Sequence, residues 1–333
     1  KLHSSNWFFP WEKYCIDHNI EYAILNPFSL HIINRLENFD MVLWHFSGYI
    51  FKDMLVARNI LFSVKKMGKK IFPDLDDCWH FDDKVAETYF LQSIKAPIPK
   101  SLMYYSLADI QEAMHTIQFP IVAKLRNGSG SHNVKLLKNK NELLNYSKIM
   151  FSKGFKSSPS LAYKASSNIK SSKSLKVFIN RAKRIPEFLK TLSGAKAFPN
   201  EKGYVYLQEF IPNNGYDLKV VVVGDKLSFI GRNIREGDFR ASGGGDLFYD
   251  RSYITKNVID SAFRANDLLG FKCMGYDYVV NKENGKGIII EISYGFSHEA
   301  LLLAGGYFDR NANWHEKPLN APVELLQNLM VND

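Results

Sequence analysis

Two carboxylates in the last quarter of the chain, Asp277 and Glu291, stand on either side of a turn-forming Asn284–Gly285. Asp277 is eight residues before Gly285 and Glu291 six after it, so a hairpin turned there lets the two face each other. Carboxylate oxygens converging in this way are hard ligands suited to a Mg²⁺ that bridges phosphates. The same pair also reads as a cross-strand polar pair with a lysine nearby. Upstream, Lys124 closes the apolar run FPIVAKL and precedes a Gly/Ser loop from Asn127 to Asn133. Such a loop can turn several backbone N–H groups toward a phosphate chain while the lysine adds a fixed positive charge. It reads equally as a solvated strand end followed by a hairpin turn. Gln208, Glu209, Phe210 and Ile211 end another apolar run, and Asp217 follows six residues later. Backbone groups of such a linker can pair with an adenine edge and a carboxylate can hold ribose hydroxyls. An acidic strand end and a turn carboxylate would look the same.

These residues need elements to position them. The apolar positions Met54, Ala57, Leu61 and Val64 recur at helical spacing and predict a helix over 52–67, stopped by Gly68. The runs 21–25, 39–46 and 69–72 predict strands around it, with parallel pairing in a small α/β unit. Helices are expected over 82–95, with Asp82 or Asp83 near the start, and over 107–117, 140–150, 256–269 and 322–331. Strands are expected at FPIVAKL, VKLL and YVYLQEFI, with a hairpin over 217–234 turned at Gly224–Asp225. The fold class is α/β (α+β), in three parts: 1–80, 81–207 and 208–333.

The chain has 333 residues, enough for two or three domains. Its net charge of +9 comes from 43 basic and 34 acidic residues. Residues 151–200 alone hold 11 Lys/Arg against Glu187, leaving 32 basic and 33 acidic residues elsewhere. The excess therefore belongs to one Ser/Lys-rich segment, expected as a mobile lid insertion, and argues little for a nucleic-acid partner. Three scattered cysteines form no CxxC pair, which fits a reducing compartment and a cytoplasmic protein. No apolar run reaches the roughly 18–20 residues that span a bilayer. The chain lacks GxxxxGK[ST], GxGxxG, HExxH and GxSxG patterns, which removes the commonest NTPase, dehydrogenase, metalloprotease and hydrolase readings.

Taken in order, the stretches FDDKVAETYFLQSIKAPIPK, FPIVAKLRNGSGSHNVKLL, YLQEFIPNNGYDLKVVVVGDKL, GRNIREGDFRASGGG and MGYDYVV with GIIIEISYG run from about 81 to 297. This order resembles the ATP-grasp superfamily, in the branch of glutathione synthetases, D-alanine–D-alanine ligases and the enzymes that add glutamate to a ribosomal protein. The resemblance implies an ATP-grasp fold behind an N-terminal Rossmann-like α/β domain, with ATP and Mg²⁺ as cofactors. It implies that Lys84 and Lys124 touch phosphate, that Gly128, Ser129, Gly130 and Ser131 cover it, and that Gln208 to Ile211 line the adenine. It further implies Asp217 on the ribose, Lys219 where relatives often carry arginine, and Arg232 and Arg240 toward the γ-phosphate and acyl phosphate. Asp277 and Glu291 match the metal carboxylates. Ser293 stands where relatives carry asparagine, a weaker ligand in place of an amide carbonyl.

The activity implied is an ATP-dependent carboxylate–amine ligase that forms an amide through an acyl phosphate. The run EISYGFS, with WHE at 314–316, also resembles a polysaccharide-cluster subgroup. It suggests a sugar-acid or amino-acid substrate, free or nucleotide-linked, in cell-surface polysaccharide synthesis. Tyr249, Arg251, Tyr294 and His298 flank the acceptor side by sequence position. A ligase acting on a protein or peptide terminus, and a non-catalytic ATP- or anion-binding module, are the alternatives.

Overall fold

The computed structural model describes residues 6–48, 50–128, 133–156, 198–234, 240 and 246–331. The N-terminal part carries α1 (Phe8–Asp17), α2 (Ile32–Leu36), β1 (Met41–Leu43), α3 (Phe51–Lys66) and β2 (Lys70–Phe72). β1 and β2 pair in parallel, Val42 opposite Ile71. α3 buries Ala57, Leu61 and Val64 of the expected stripe, with Met54 half-buried, and Gly68 follows at φ +78°. The run 21–25 is not the expected strand: it is irregular, and Tyr22 and Ile24 are exposed. An apolar run becomes a strand only where a neighbour completes its hydrogen-bond ladder, and this one has no ladder partner.

The middle part begins with α4 (Leu75–Cys78) and α5 (Lys84–Ser93). Asp83 caps α5, its carboxylate accepting from the N–H groups of Val85 and Ala86 at 3.2 and 3.1 Å. Then come β3 (Ser101–Tyr104), α6 (Leu107–Ala113), β4 (Ile121–Lys124), β5 (Val134–Leu137), α7 (Lys140–Met150), β6 (Phe155–Lys156), β7 (Asn200–Glu201) and β8 (Val205–Glu209). α6 is shorter than expected, giving way to a turn at 114–116. An antiparallel sheet in the order β3-β8-β4-β5 packs on α6 and α7 around Ile110, Leu143, Tyr146 and Met150. The expected boundary between 207 and 208 falls inside β8. Most of the basic insertion, residues 157–197, lies outside the described residues.

The last part holds β9 (Tyr216–Val223), β10 (Lys226–Asn233), β11 (Leu247–Phe248), α8 (Lys256–Leu269), β12 (Cys273–Val280), β13 (Gly287–Ser293), α9 (His298–Leu302), β14 (Tyr307–Phe308), β15 (Trp314–His315) and α10 (Ala321–Val331). β9 and β10 pair Val223 with Lys226, so the turn is Gly224–Asp225, with Gly224 at φ +56°. The sheet order is β13-β12-β9-β10-β14-β15, with β11 beside β10. Central β9 is covered on both faces, which is why Val220–Val223 are all fully buried. Among the described residues the N-terminal part forms no core of its own: Trp7, Phe46, Leu61 and Phe72 belong to the same cluster as Val221, Tyr276 and Leu325. Among the described residues no helix is long and apolar enough to cross a membrane.

Candidate active site

A cleft open to solvent lies between the four-stranded sheet and the large sheet. Its apolar walls are Val122, Val134, Val279 and Ile290, and its rim carries Gln208, Glu209, Phe210 and Ile211. Lys84, Lys124, Arg240 and Glu291 supply the charges. A flat heterocycle against the apolar part and a phosphate chain along the lysines would suit this lining. Gln208 is buried, its side-chain amide donating to the Tyr206 hydroxyl at 2.9 Å, while Glu209 accepts from the Lys100 N–H at 3.3 Å.

The two lysines arrive from different elements. Lys84 opens α5, and its ammonium donates to the Gly128 carbonyl at 2.5 Å and lies 3.4 Å from Glu291 Oε1. Lys124 ends β4 and donates to the Ile290 carbonyl at 3.4 Å. That carbonyl is available because the β12–β13 ladder slips: Asp277 pairs with Glu291 but Tyr278 with Ile289, so Ile290 bulges out. Burial pushes Lys124 down to about 8 despite Glu291. Burial also works against Lys84, but Glu291, Glu87 and Asp82 outweigh it and hold that lysine above its ordinary range.

Two acids of this cluster were not anticipated from the sequence. Glu87 is buried and accepts from the Ile292 N–H at 3.3 Å; burial and the charge of Glu291 raise its carboxyl well above the ordinary range. Asp82, at φ +58°, accepts from the Gly128 N–H at 3.1 Å, and burial pushes it up to about 6. The available signal was spacing: Glu87 lies three residues after Lys84, on the same helix face.

A second charged row crosses the large sheet. Cross-strand register sets Glu291 opposite Asp277, Asp277 opposite Lys219, and Arg232 opposite Asp217. Lys219 Nζ lies 2.5 Å from Asp277 Oδ1 and Arg232 Nη2 lies 3.2 Å from it. Arg232 Nε donates to Asp217 Oδ1 at 3.0 Å, and Nη2 closes a second bond to Oδ2. Burial raises Asp277, but Arg232 and Lys219 outweigh it and hold it low. In Asp217 burial prevails and pushes the carboxyl up to about 7.

The expected residues thus fall into four groups. Lys84, Lys124, Gln208, Glu209, Phe210, Ile211, Arg240 and Glu291 line one cleft, with Gly128 bonded to Lys84 at its edge. Asp217, Lys219, Arg232 and Asp277 form the row beside it; Asp217, expected on a ribose, is fully buried with both oxygens on Arg232. Ser293 does not line the cleft, and its hydroxyl accepts from the Gly295 N–H at 3.0 Å. Ser129, Gly130 and Ser131 lie outside the described residues.

The donors fit a Mg²⁺ in a limited sense. Asp277 Oδ1 is buried and held by two cations, Lys219 at 2.5 Å and Arg232 at 3.2 Å, so a Mg²⁺ would share this oxygen with them. No group of three or more His, Cys, Asp or Glu among the described residues is placed to hold a metal. Two carboxylates suffice only where phosphate oxygens and water complete the shell.

No protein-family model matches the chain, and no curated protein does. Solved structures do. The D-alanine–D-alanine ligase of Bacillus anthracis complexed with ATP is 12% identical, with 100% of this chain and 96% of that one covered at a TM-score of 0.55. A second structure of that ligase gives 12% identity, 89% and 85% coverage and a TM-score of 0.51. The N5-carboxyaminoimidazole ribonucleotide synthetase of Thermotoga maritima is 16% identical over 88% of this chain, at a TM-score of 0.49. The chain spans 61% of that synthetase's length. The fold is thereby defined: this chain has the ATP-grasp architecture behind an N-terminal α/β unit.

Proposed function

We propose that the protein is an ATP-dependent carboxylate–amine ligase working through an acyl phosphate. The observation that carries this reading is the cleft between the sheets, where Lys84 and Lys124 from one side face Glu291, paired with Asp277, from the other. The adenine would lie along Gln208 to Ile211 and the phosphates along Lys84, Lys124 and Gly128. A substrate carboxylate oxygen attacks the γ-phosphorus, the bond to the bridging oxygen breaks, and ADP leaves with its electron pair. An amine then adds to the acyl carbon, phosphate departs with the C–O electron pair, and the nitrogen's proton goes to phosphate or water. Lys84 and Arg240 would face the charge on the transferring group, and the apolar walls exclude water. Mg²⁺ held by Asp277 and Glu291 would neutralise phosphate charge.

Arg232 and Lys219 serve this reading differently from the sequence expectation. They hold Asp277 ionised and oriented, and Asp217 orients Arg232 rather than a ribose. The finer substrate reading, a sugar acid or amino acid of cell-surface polysaccharide synthesis, rests on the resemblance of the EISYGFS and WHE stretches. The test is incubation with MgATP and panels of acids and amines, following ADP and phosphate. ATP binding by calorimetry with acid- and amine-dependent ADP release is expected; absence of both ends the proposal.

A further inference from the structure

Beside the cleft runs a line of hydroxyls, and counting their protons fixes its direction. In the four-stranded sheet Gln208 of β8 stands opposite Ser101 of β3 on one side and Val122 of β4 on the other, and Tyr206 stands opposite Lys124. Directly paired residues share a sheet face, so these side chains belong to the face that gives Val122, Lys124 and Gln208 to the cleft. Thr88, from the second turn of α5, meets them there.

Each hydroxyl has one proton to give. Thr88 Oγ1 donates to the Lys84 carbonyl at 2.7 Å, and Ser101 Oγ donates to the Pro99 carbonyl at 3.0 Å. Thr88 Oγ1 can therefore only accept from the Tyr206 hydroxyl, 2.8 Å away. With its proton on Thr88, Tyr206 accepts from Gln208 Nε2 at 2.9 Å, and Ser101 accepts from the same nitrogen at 3.4 Å. Thr88, Tyr206 and Gln208 are buried, and burial pushes the Tyr206 phenol up to about 12, so its proton stays in place at neutral pH. Both N–H bonds of the Gln208 amide thus turn into the protein. Its Oε1 takes no hydrogen bond from any described residue and is not sealed off, so it opens on the cleft that Gln208 lines.

We propose that Gln208 Oε1 selects the base of the nucleotide by accepting from a 6-amino group, and that Tyr206, Thr88 and Ser101 are positioning residues that hold this oxygen outward. This rests on the nucleotide reading of the cleft given above and adds to it a choice between purines. Adenine carries an N–H₂ donor at position 6, whereas guanine and hypoxanthine carry an acceptor oxygen there. Against Oε1 a 6-oxo group sets lone pair against lone pair and leaves both oxygens without a donor, where buried polar groups need one. A side-chain amide free to turn over would offer its N–H instead and favour the 6-oxo purines. The spent protons of Thr88 and Ser101 are what prevent it.

The experiment is calorimetry of the whole protein with the Mg²⁺ salts of ATP, ITP and purine riboside triphosphate, which carry an amino group, an oxygen and a hydrogen at position 6. ATP should bind about tenfold more tightly than purine riboside triphosphate, and ITP should be the weakest of the three. Gln208→Leu should bring ATP down to the purine value. Thr88→Val withdraws the acceptor for the Tyr206 proton, which then turns to Gln208 and flips the amide. ATP should weaken and ITP tighten, narrowing their ratio about tenfold. Tyr206→Phe should narrow the ratio too, by freeing the amide. A hydroxyl line that only tied the sheet to α5 would lower the melting temperature in both variants and leave the ratio unchanged, and that result overturns the positioning role. Equal binding of ATP and ITP by the wild-type protein overturns base selection while the ligase reading stands. If one variant fails to fold, the other and the wild-type series decide. If none of the three nucleotides binds, both readings fall together.

Discussion

Two buried clusters in this chain each set carboxyl groups beside a lysine, one where α4 meets the start of β12 and one in the cleft between the sheets. At the first, Asp74 accepts from Lys65 Nζ at 2.7 Å, from Lys272 Nζ at 3.0 Å and from the Leu75 N–H at 2.6 Å. Asp77, fully buried, accepts from the N–H groups of Asp74 and Lys272 at 3.1 and 2.9 Å. Each carboxylate oxygen there has a partner. In the cleft, the buried Lys124 ammonium has one long contact, to the Ile290 carbonyl at 3.4 Å, while Asp277 in the row beside it is held by Lys219 at 2.5 Å and Arg232 at 3.2 Å. Buried polar groups are ordinarily satisfied, so the contrast lies at Lys124: a joint whose carboxylates are fully partnered holds the fold, and a buried ammonium with one long contact among the described residues marks the site.

The contrast breaks most sharply at Glu291. Glu291→Gln keeps the shape but removes the charge opposite Lys84 and one of the two oxygen-ligand carboxylates. MgATP-dependent ADP release should fall by roughly 10²–10³-fold, the scale of losing a main electrostatic contributor. Thermal stability should fall far less than activity, by the part of the Lys84 counter-charge that Glu87 and Asp82 do not replace. Full retained activity would remove Glu291 from the chemistry.

The joint should behave in the opposite way. Asp77→Ala strands two buried N–H groups, at about 1–3 kcal/mol each. The melting temperature should drop by many degrees while ATP affinity per folded molecule stays put. The sign of the pH effect follows from the shift. Burial raises the Asp77 carboxyl to about 7 in spite of its two N–H donors, so the folded protein holds a proton that the unfolded chain has released. That contribution is fully present below the ordinary aspartate range and is lost as pH rises through about 7. Melting curves of wild type and Asp77→Asn between pH 4 and 8 should converge toward the upper end; parallel curves would contradict the burial argument.

Legibility in the sequence followed the same division between local and long-range information. The turn at Gly224–Asp225, helix α8 and the face-to-face placement of Asp277 and Glu291 were readable because each depends on spacing within one hairpin or one helix. Glu87 and Asp82 were not, since what makes them matter is burial against β13 and Gly128, more than 40 residues away along the chain. Asp217 shows the limit from the other side. It lies where a ribose carboxylate was expected, but the β9–β10 register sets it opposite Arg232, and a bidentate guanidinium pair takes both of its oxygens. The run 21–25 had the apolar composition of a strand and lacked a partner edge, which composition cannot reveal.

Lys124 gives the smallest effect and the finest test of the comparison. With burial holding it at about 8, it is charged at neutral pH and loses its proton in mildly alkaline solution. A lysine that served only the fold would leave nucleotide affinity flat over that range. If it is held in reserve for phosphate, ATP affinity should weaken several-fold between pH 7 and 9, by calorimetry under conditions where ATP itself stays ionised. Lys124→Arg should flatten the profile, because guanidinium keeps its charge throughout. Lys124→Met should lower affinity by about tenfold at pH 7, near 1.4 kcal/mol, and be flat as well. A pH dependence that survives in both variants would place the titrating group elsewhere, with Asp82, pushed up to about 6 and bonded to Gly128, too acidic to account for it.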